Sequence, residues 1–116
     1  MQITRIYADE HGITHFAELE IALHPHGVIG QLSDLYPLKG VIFRETPPSY
    51  DNQWHTAPRK QFVVNLNGSV QVTVGDGESR IFGEGSVFLL EDTSGQGHTT
   101  RTLLPVLRRS LFLVIE

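Results

Sequence analysis

Between residues 69 and 77 the chain reads Ser-Val-Gln-Val-Thr-Val-Gly-Asp-Gly, and this alternation constrains the fold more than any other stretch. Successive side chains of an extended chain point to opposite faces, so Val70, Val72 and Val74 share one face and Ser69, Gln71 and Thr73 the other. Gly75-Asp76-Gly77 then supplies the positive backbone angles of a tight hairpin. Short apolar runs closed by turn residues recur at 14–23, 39–45, 60–66, 79–82, 86–90, 97–103 and 108–115, and no segment carries a convincing helical period. Eight short strands predict an antiparallel sandwich or one small barrel. Residues 47–51, Pro-Pro-Ser-Tyr-Asp, read as a loop leading into His55 and forming one rim of a barrel mouth.

The chain's 116 residues suffice for a single domain, residues 1–116, that buries roughly two-thirds of its unfolded surface around one core. Its charged fraction of 19% falls below the roughly 25% usual for soluble domains, which favours a compact β protein over a solvated or disordered chain. A net charge of -4 with interspersed signs provides no basic stripe for phosphate backbones, so no nucleic-acid partner is expected. No apolar run is long enough for a membrane span, and the first residues lack a signal-peptide pattern. The expectation is a soluble, cytoplasmic protein without a membrane partner. Zero cysteines exclude disulfides and thiolate chemistry.

Two segments carry the chemistry. Residues 54–68, WHTAPRKQFVVNLNG, place His55, Thr56 and Ala57 before Gln61 and Gly68; residues 83–101, GEGSVFLLEDTSGQGHTTR, place Thr93, Gly95 and His98 at matched intervals. Together they resemble the two motifs of the cupin superfamily, H-x-H followed by E and G, then P-x-G-x-x-H. Within it they are most similar to small single-domain cupins bearing W-H-x-A-P-R-[RK]-Q-[FY] and E-D-T-x-G-x-G-H. The resemblance covers about the central half of the chain and implies an all-β, antiparallel double-sheet jelly-roll barrel. From related small cupins, and from the apolar run 111–115, a homodimer is expected.

In metal-binding cupins the two first-motif histidines, the glutamate and the second-motif histidine surround a divalent metal. Carried over by position, His55 and His98 keep the ligand type, Gln61 stands for the glutamate and Ala57 for the remaining histidine. Two neutral nitrogens and a weak amide oxygen make a poor set for a dication. The resemblance therefore implies either no cofactor or a weakly bound divalent metal on His55 and His98, with Gln61 as a weak third donor. The polar remnant can instead form a small-molecule pocket. Gln61 offers a donor and an acceptor, His55 and His98 can hydrogen-bond or exchange protons, and Arg59 can pair with a carboxylate or phosphate.

Each candidate also has a structural reading. Gln61 shares a strand face with Val63, where it lines the pocket or is satisfied by backbone. Trp54 is an aromatic wall or part of a core or dimer seam. Asp92 orients a histidine ring or ends a strand. Arg59 and Arg44 are surface charges by default, and His24-Pro25-His26, despite its H-x-H spacing, is a loop. No G-x-S-x-G element, cysteine nucleophile or phosphate loop is present, which disfavours covalent catalysis. The leading expectation is a small-molecule-binding protein, or a metal-independent enzyme on a small polar or anionic metabolite, with a pocket of Trp54, His55, Arg59, Gln61, Asp92 and His98. The alternatives are a metal-dependent oxygenase or isomerase using His55 and His98, and a non-catalytic sensor or interaction module.

Overall fold

The computed structural model describes residues 1–115 and is built from strands, with one 3-10 turn at Gly27–Ile29. The strands are β1 (Gln2–Ala8), β2 (Thr14–Glu20), β3 (His24–Pro25), β4 (Gln31–Leu32), β5 (Gly40–Thr46), β6 (Asp51–His55), β7 (Gln61–Asn65), β8 (Val70–Thr73), β9 (Ser79–Phe82), β10 (Val87–Leu90), β11 (His98–Thr102) and β12 (Arg108–Val114). A six-stranded sheet runs β2-β1-β10-β7-β12-β5, a four-stranded sheet runs β6-β11-β8-β9, and β3 and β4 form a small hairpin apart. All eight anticipated segments contain a strand.

Two expectations need correction. The described strands do not close into a barrel: the six-stranded and four-stranded sheets are separate ladders, and the chain crosses between them at β5–β6, β6–β7, β7–β8, β9–β10, β10–β11 and β11–β12. The architecture is an all-β, double-sheet sandwich. Strands β1 and β6 also escaped the pattern, for different reasons. In β1, Ile3 and Ile6 are both buried although they point to opposite faces; Ile6 joins the core between the sheets and Ile3 a second cluster outside. A strand covered on both sides loses its alternation. In β6 the sequence Asp-Asn-Gln-Trp-His is polar because it forms an edge of the smaller sheet.

Between the sheets, Val70, Val72 and Val74 pack with Ile6, Phe16, Val63, Phe82, Phe88 and Leu90, while the phenyl rings of Phe82 and Phe88 stack at 4.3 Å. The predicted valine face of β8 is thus its inner face. Within β7 the inner face carries Val63, and the outer-facing Phe62 joins Ile3 and Leu89 in the second cluster. Tyr36 covers that cluster, edge-on to Phe62 at 5.0 Å. Of the hairpin glycines, Gly77 has the positive φ of 96°, whereas Gly75 is needed for space: a Cβ there would lie 2.6 Å from the Gln96 side chain and 3.0 Å from the Thr14 backbone.

The β8–β9 hairpin is tied to the β1–β2 turn by His15, whose ring nitrogens lie 2.7 Å from Asp9 and 2.9 Å from Asp76. Hydrogen bonds from the His15 ring to Asp9 and then to Asp76 raise the His15 pKa. The pKa of Asp9 is lowered chiefly by His15, and that of Asp76 by the Glu78 backbone N–H and then by His15. A raised histidine stabilises fully below its unfolded pKa and loses that contribution as pH climbs through its folded value. A lowered carboxylate stabilises above its unfolded pKa and loses that contribution as pH falls through its folded value. The tie is therefore strongest in weak acid, between the ordinary carboxylate and imidazole ranges. By NMR, the His15 ring should titrate above a peptide histidine, and Asp9→Asn should lower its midpoint more than Asp76→Asn does. A midpoint at or below the peptide value would contradict this arrangement.

Candidate functional site

The two motif histidines meet because β6 and β11 are antiparallel neighbours with His55 directly opposite His98 in register. The close approach depends on Gly97, which has a φ of 81°; a Cβ on it would sit 2.1 Å from the carbonyl oxygen of His55. Buried Thr14 holds the strand in place by donating its hydroxyl to the Gly97 carbonyl at 2.6 Å. The imidazole centroids are 4.6 Å apart, tilted by 56°. A bulge after His98 shifts the register before Thr100 pairs with Asn52, the kind of irregularity that re-aims side chains beside sites.

Each imidazole is held by the same ring nitrogen. His98 is 2% exposed and its Nδ1 lies 2.5 Å from the Asp92 carboxyl, itself fully buried; the backbone carbonyl of Asp92 also accepts the Ala57 N–H at 3.0 Å. The His55 Nδ1 lies 2.8 Å from the carbonyl oxygen of Gln53, which can only accept, so Nδ1 carries the proton. The Asn52 amide nitrogen also approaches that ring, 3.2 Å from Nδ1 and 3.4 Å from Nε2. With Nδ1 already donating to Gln53, only Nε2 can accept from Asn52. In His98, pairing of Nδ1 with the carboxyl leaves Nε2 as the nitrogen available to a ligand. Partners on Nδ1 set the tautomer and orient the ring.

These rings stand at a cavity of about 260 Å³ between the sheets. One part of its wall is apolar, from Val63, Val70, Phe88, Leu90 and Phe112, and the rest is polar, from His55, His98, Gln61, Tyr50, Arg44 and Arg108. Its volume lies just below the roughly 300–1,000 Å³ of drug-sized sites, so it suits a small metabolite.

Of the residues singled out in the sequence, His55, Gln61 and His98 line this cavity together, and Ala57 lies beside them. Gln61 comes from β7 of the opposite sheet, 1% exposed, and its side-chain oxygen accepts from Arg59 at 3.3 Å. Arg59 thus reaches the site through Gln61 and does not line the cavity. Asp92 stands behind His98. Trp54 is 45% exposed and is not part of the wall; as the neighbour of His55 along β6, it is directed to the opposite face. Glu91, next to Asp92, is engaged by Arg5 at 2.6 Å and Lys60 at 3.1 Å, whose charges outweigh burial and lower its pKa. His24 and Pro25 form the short exposed strand β3, paired with β4, where the sequence suggested a loop.

Sequence reasoning left Arg44 as a surface charge and did not select Tyr50 or Arg108. Inner-face positions on β12 are Arg108, Ser110 and Phe112, paired with Thr46, Arg44 and Ile42 of β5. A strand reading Arg-Arg-Ser-Leu-Phe-Leu-Val offers apolar residues to both faces, so alternation alone does not say which arginine turns inward. Arg108 is 3% exposed, and burial, followed by the charge of Arg44, lowers its pKa, with Tyr50 opposing.

The donor set does not fit a tightly held divalent metal. Two imidazole nitrogens are present, Ala57 contributes no donor, Gln61 is engaged by a guanidinium, and two arginines on the same wall oppose a dication. Among the described residues no group of three or more His, Cys, Asp or Glu side chains is arranged around a common point.

No protein family model and no curated protein matches the sequence. The crystal structure of a 3,4-ketoisomerase from Helicobacter canadensis is similar, with a TM-score of 0.52 and 17% identity, covering 84% of this chain and 80% of that one. Likeness at that identity establishes a shared all-β architecture and leaves the chemistry to be argued from the site. No helix among the described residues is long and apolar enough to cross a membrane.

Proposed function

We propose that the chain is a cupin-like jelly roll that binds a small polar metabolite in the cavity against His55 and His98 and moves a proton at a carbon next to a carbonyl, without a metal. One observation carries this reading: two imidazoles face each other at 4.6 Å at the wall of a cavity, each with Nδ1 engaged. With one ring neutral and the other protonated on both nitrogens, Nε2 of the neutral ring can remove a proton from carbon while Nε2–H of the protonated ring donates to the carbonyl oxygen, and exchange of these roles returns the proton to the neighbouring carbon. General acid–base pairs of this kind contribute typically about 10²–10⁴-fold each. Asp92 holds the His98 ring through Nδ1, which leaves Nε2 directed to the ligand. Migration of a carbonyl along a carbon chain, the reaction in the name of the 3,4-ketoisomerase of similar architecture, is one instance of this chemistry.

The corresponding experiment follows deuterium from solvent into a panel of small α-hydroxyketones by NMR, with chelator present. Exchange at the carbon next to the carbonyl should occur with the native chain and fall by at least about 100-fold in His98→Gln and in His55→Gln, both folded. Exchange in the native chain that is equally fast in both variants would sink the acid–base assignment.

A homodimer is proposed for the same protein. Strand β5 is an edge of the six-stranded sheet, and its outer face presents Phe43, 82% exposed, beside the half-exposed Val41 and Leu66. An unpaired edge with an apolar face is a template for a second chain. Light scattering should give a dimer mass at tens of micromolar concentration, reduced to a monomer mass by Phe43→Lys. A native monomer at that concentration would contradict it.

A further inference from the structure

The structure assigns a second function to the far wall of the cavity: we infer that Arg44 and Arg108 form an oxyanion subsite, so that the ligand carries a carboxylate or a phosphate. This rests on reading the cavity as the ligand site, and its test is independent of any proton transfer.

The two arginines are unlike the others with assigned ion pairs. Arg5, Arg80 and Arg109 are each held by a glutamate. Among the described residues, Arg44 and Arg108 have no acidic partner although both line the cavity. Arg108 is 3% exposed and its Nε is buried without an acceptor. A buried guanidinium lacking a counter-charge is unfavourable unless something else completes it. Arg44 is positioned without an ion pair by aromatic rings, its guanidinium lying 5.0 Å from the Tyr50 ring centre and 5.3 Å from that of Phe112.

Hydroxyl groups around the arginines point the same way. Register pairs Arg108 with Thr46 and Ser110 with Arg44, which brings all four side chains together on the inner face of β5 and β12. The hydroxyl oxygens of Thr46 and Ser110 are buried without partners, as is that of Thr100, which lines the cavity from the other sheet. Two guanidiniums and the Thr100 hydroxyl supply donors in the cavity wall, with the Thr46 and Ser110 hydroxyls behind it, and no carboxylate lines the cavity to receive them. Such a set fits a ligand end that can only accept: guanidinium forks match the paired oxygens of carboxylate and phosphate, and hydroxyls fill the remaining lone pairs. Burial, then the charge of Arg44, lowers the pKa of Arg108, and a bound anion would offset that repulsion.

Size limits the ligand. A cavity of about 260 Å³ holds about nine groups of water size. A hydroxy acid, keto acid or phosphate monoester of three or four carbons would place its anion on Arg44 and Arg108 and its reacting carbons toward His55 and His98.

The test titrates nitrogen-15-labelled protein with inorganic phosphate and, separately, with lactate, at ionic strength held constant with sodium chloride. Resonances of the Arg44 and Arg108 Nε–H groups should shift saturably, and the tighter of the two probes identifies the phosphate or the carboxylate source. Arg44→Met and Arg108→Lys should each weaken binding by at least about tenfold. Arg101→Met, which removes an exposed charge outside the cavity, should retain it within about twofold. Anion binding read in this way needs no turnover: saturable shifts in a chain that shows no exchange support the subsite and leave the proton-transfer reading to fall alone. Should Arg108→Lys fail to fold, Arg44→Met, at a partly exposed position, decides the matter. Non-saturating shifts with both probes, or native affinity in Arg44→Met, would overturn the inference.

Discussion

Gly97→Ala is expected to destabilise the protein by about 2–5 kcal/mol and to separate the two histidines. Two costs combine. An L residue at the φ of 81° observed here adds about 1–2 kcal/mol, because its Cβ crowds its own backbone. The new methyl would also meet the His55 carbonyl oxygen at 2.1 Å and carbon at 2.3 Å and the Thr56 nitrogen at 2.8 Å. These are backbone atoms of the neighbouring strand and cannot swing aside, so β6 and β11 must part, at about 1–3 kcal/mol for overpacking. Gly85 provides the control: its φ is 80°, yet a Cβ there meets nothing within 4 Å. Gly85→Ala should therefore show only the conformational cost. For a domain of this size, each kcal/mol lowers Tm by roughly 4 °C, which puts Gly97→Ala about 8–20 °C below the native chain and Gly85→Ala about 4–8 °C below it. Equal losses in a calorimetric scan would show that β6 and β11 do not approach as closely as described.

The strand pattern was legible wherever only one face of a strand is buried. Val70, Val72 and Val74 alternate with polar residues because β8 has core on one side, and their exposures of 2%, 0% and 1% follow from that. β1 was not legible, because Ile3 and Ile6 serve two different cores and their spacing of three residues matches no strand period. The pairing of the motif histidines could be expected from the resemblance, and strand register accounts for it physically: β6 and β11 are side by side with His55 opposite His98. Gln61 was placed beside Val63 by parity, and parity also removes Trp54 from the wall. The cationic wall of the cavity was the hidden part. Arg108 looks like an ordinary surface charge preceding an apolar strand, and only the long-range pairing of β12 with β5 gathers Arg44, Thr46, Arg108 and Ser110 on one face. Ladder partners more than sixty residues apart leave no local trace.

Restoring the two absent donor types, by Ala57→His with Gln61→Glu, should convert the cavity into a zinc site. Ala57 lines the cavity beside His55 and His98 as well as belonging to the core between the sheets, so an imidazole there can reach into open space on one side. The apo double variant should be less stable than the native chain, since Ala57 is 2% exposed and a larger side chain costs about 1–3 kcal/mol where it meets the surrounding core. A carboxylate at position 61 adds a buried charge, relieved in part by Arg59, which already contacts that side chain at 3.3 Å. With zinc the balance reverses. Three imidazoles and a carboxylate form the nitrogen and oxygen set that zinc prefers, and the new negative charge offsets part of the repulsion from Arg44 and Arg108. Partners outside the ligand shell alone change metal affinity about 10–100-fold, so two added direct ligands should tighten zinc binding by at least about 100-fold relative to the native chain. At a hundredfold excess over the dissociation constant, bound zinc adds about 2.7 kcal/mol of stability, enough to recover much of the apo loss. Calorimetric titration and a thermal scan with and without zinc read both effects. Equal zinc affinity in the folded native and double-variant proteins would mean that positions 57 and 61 do not face the histidine pair, and with them would fall the geometry on which the proton-transfer reading depends.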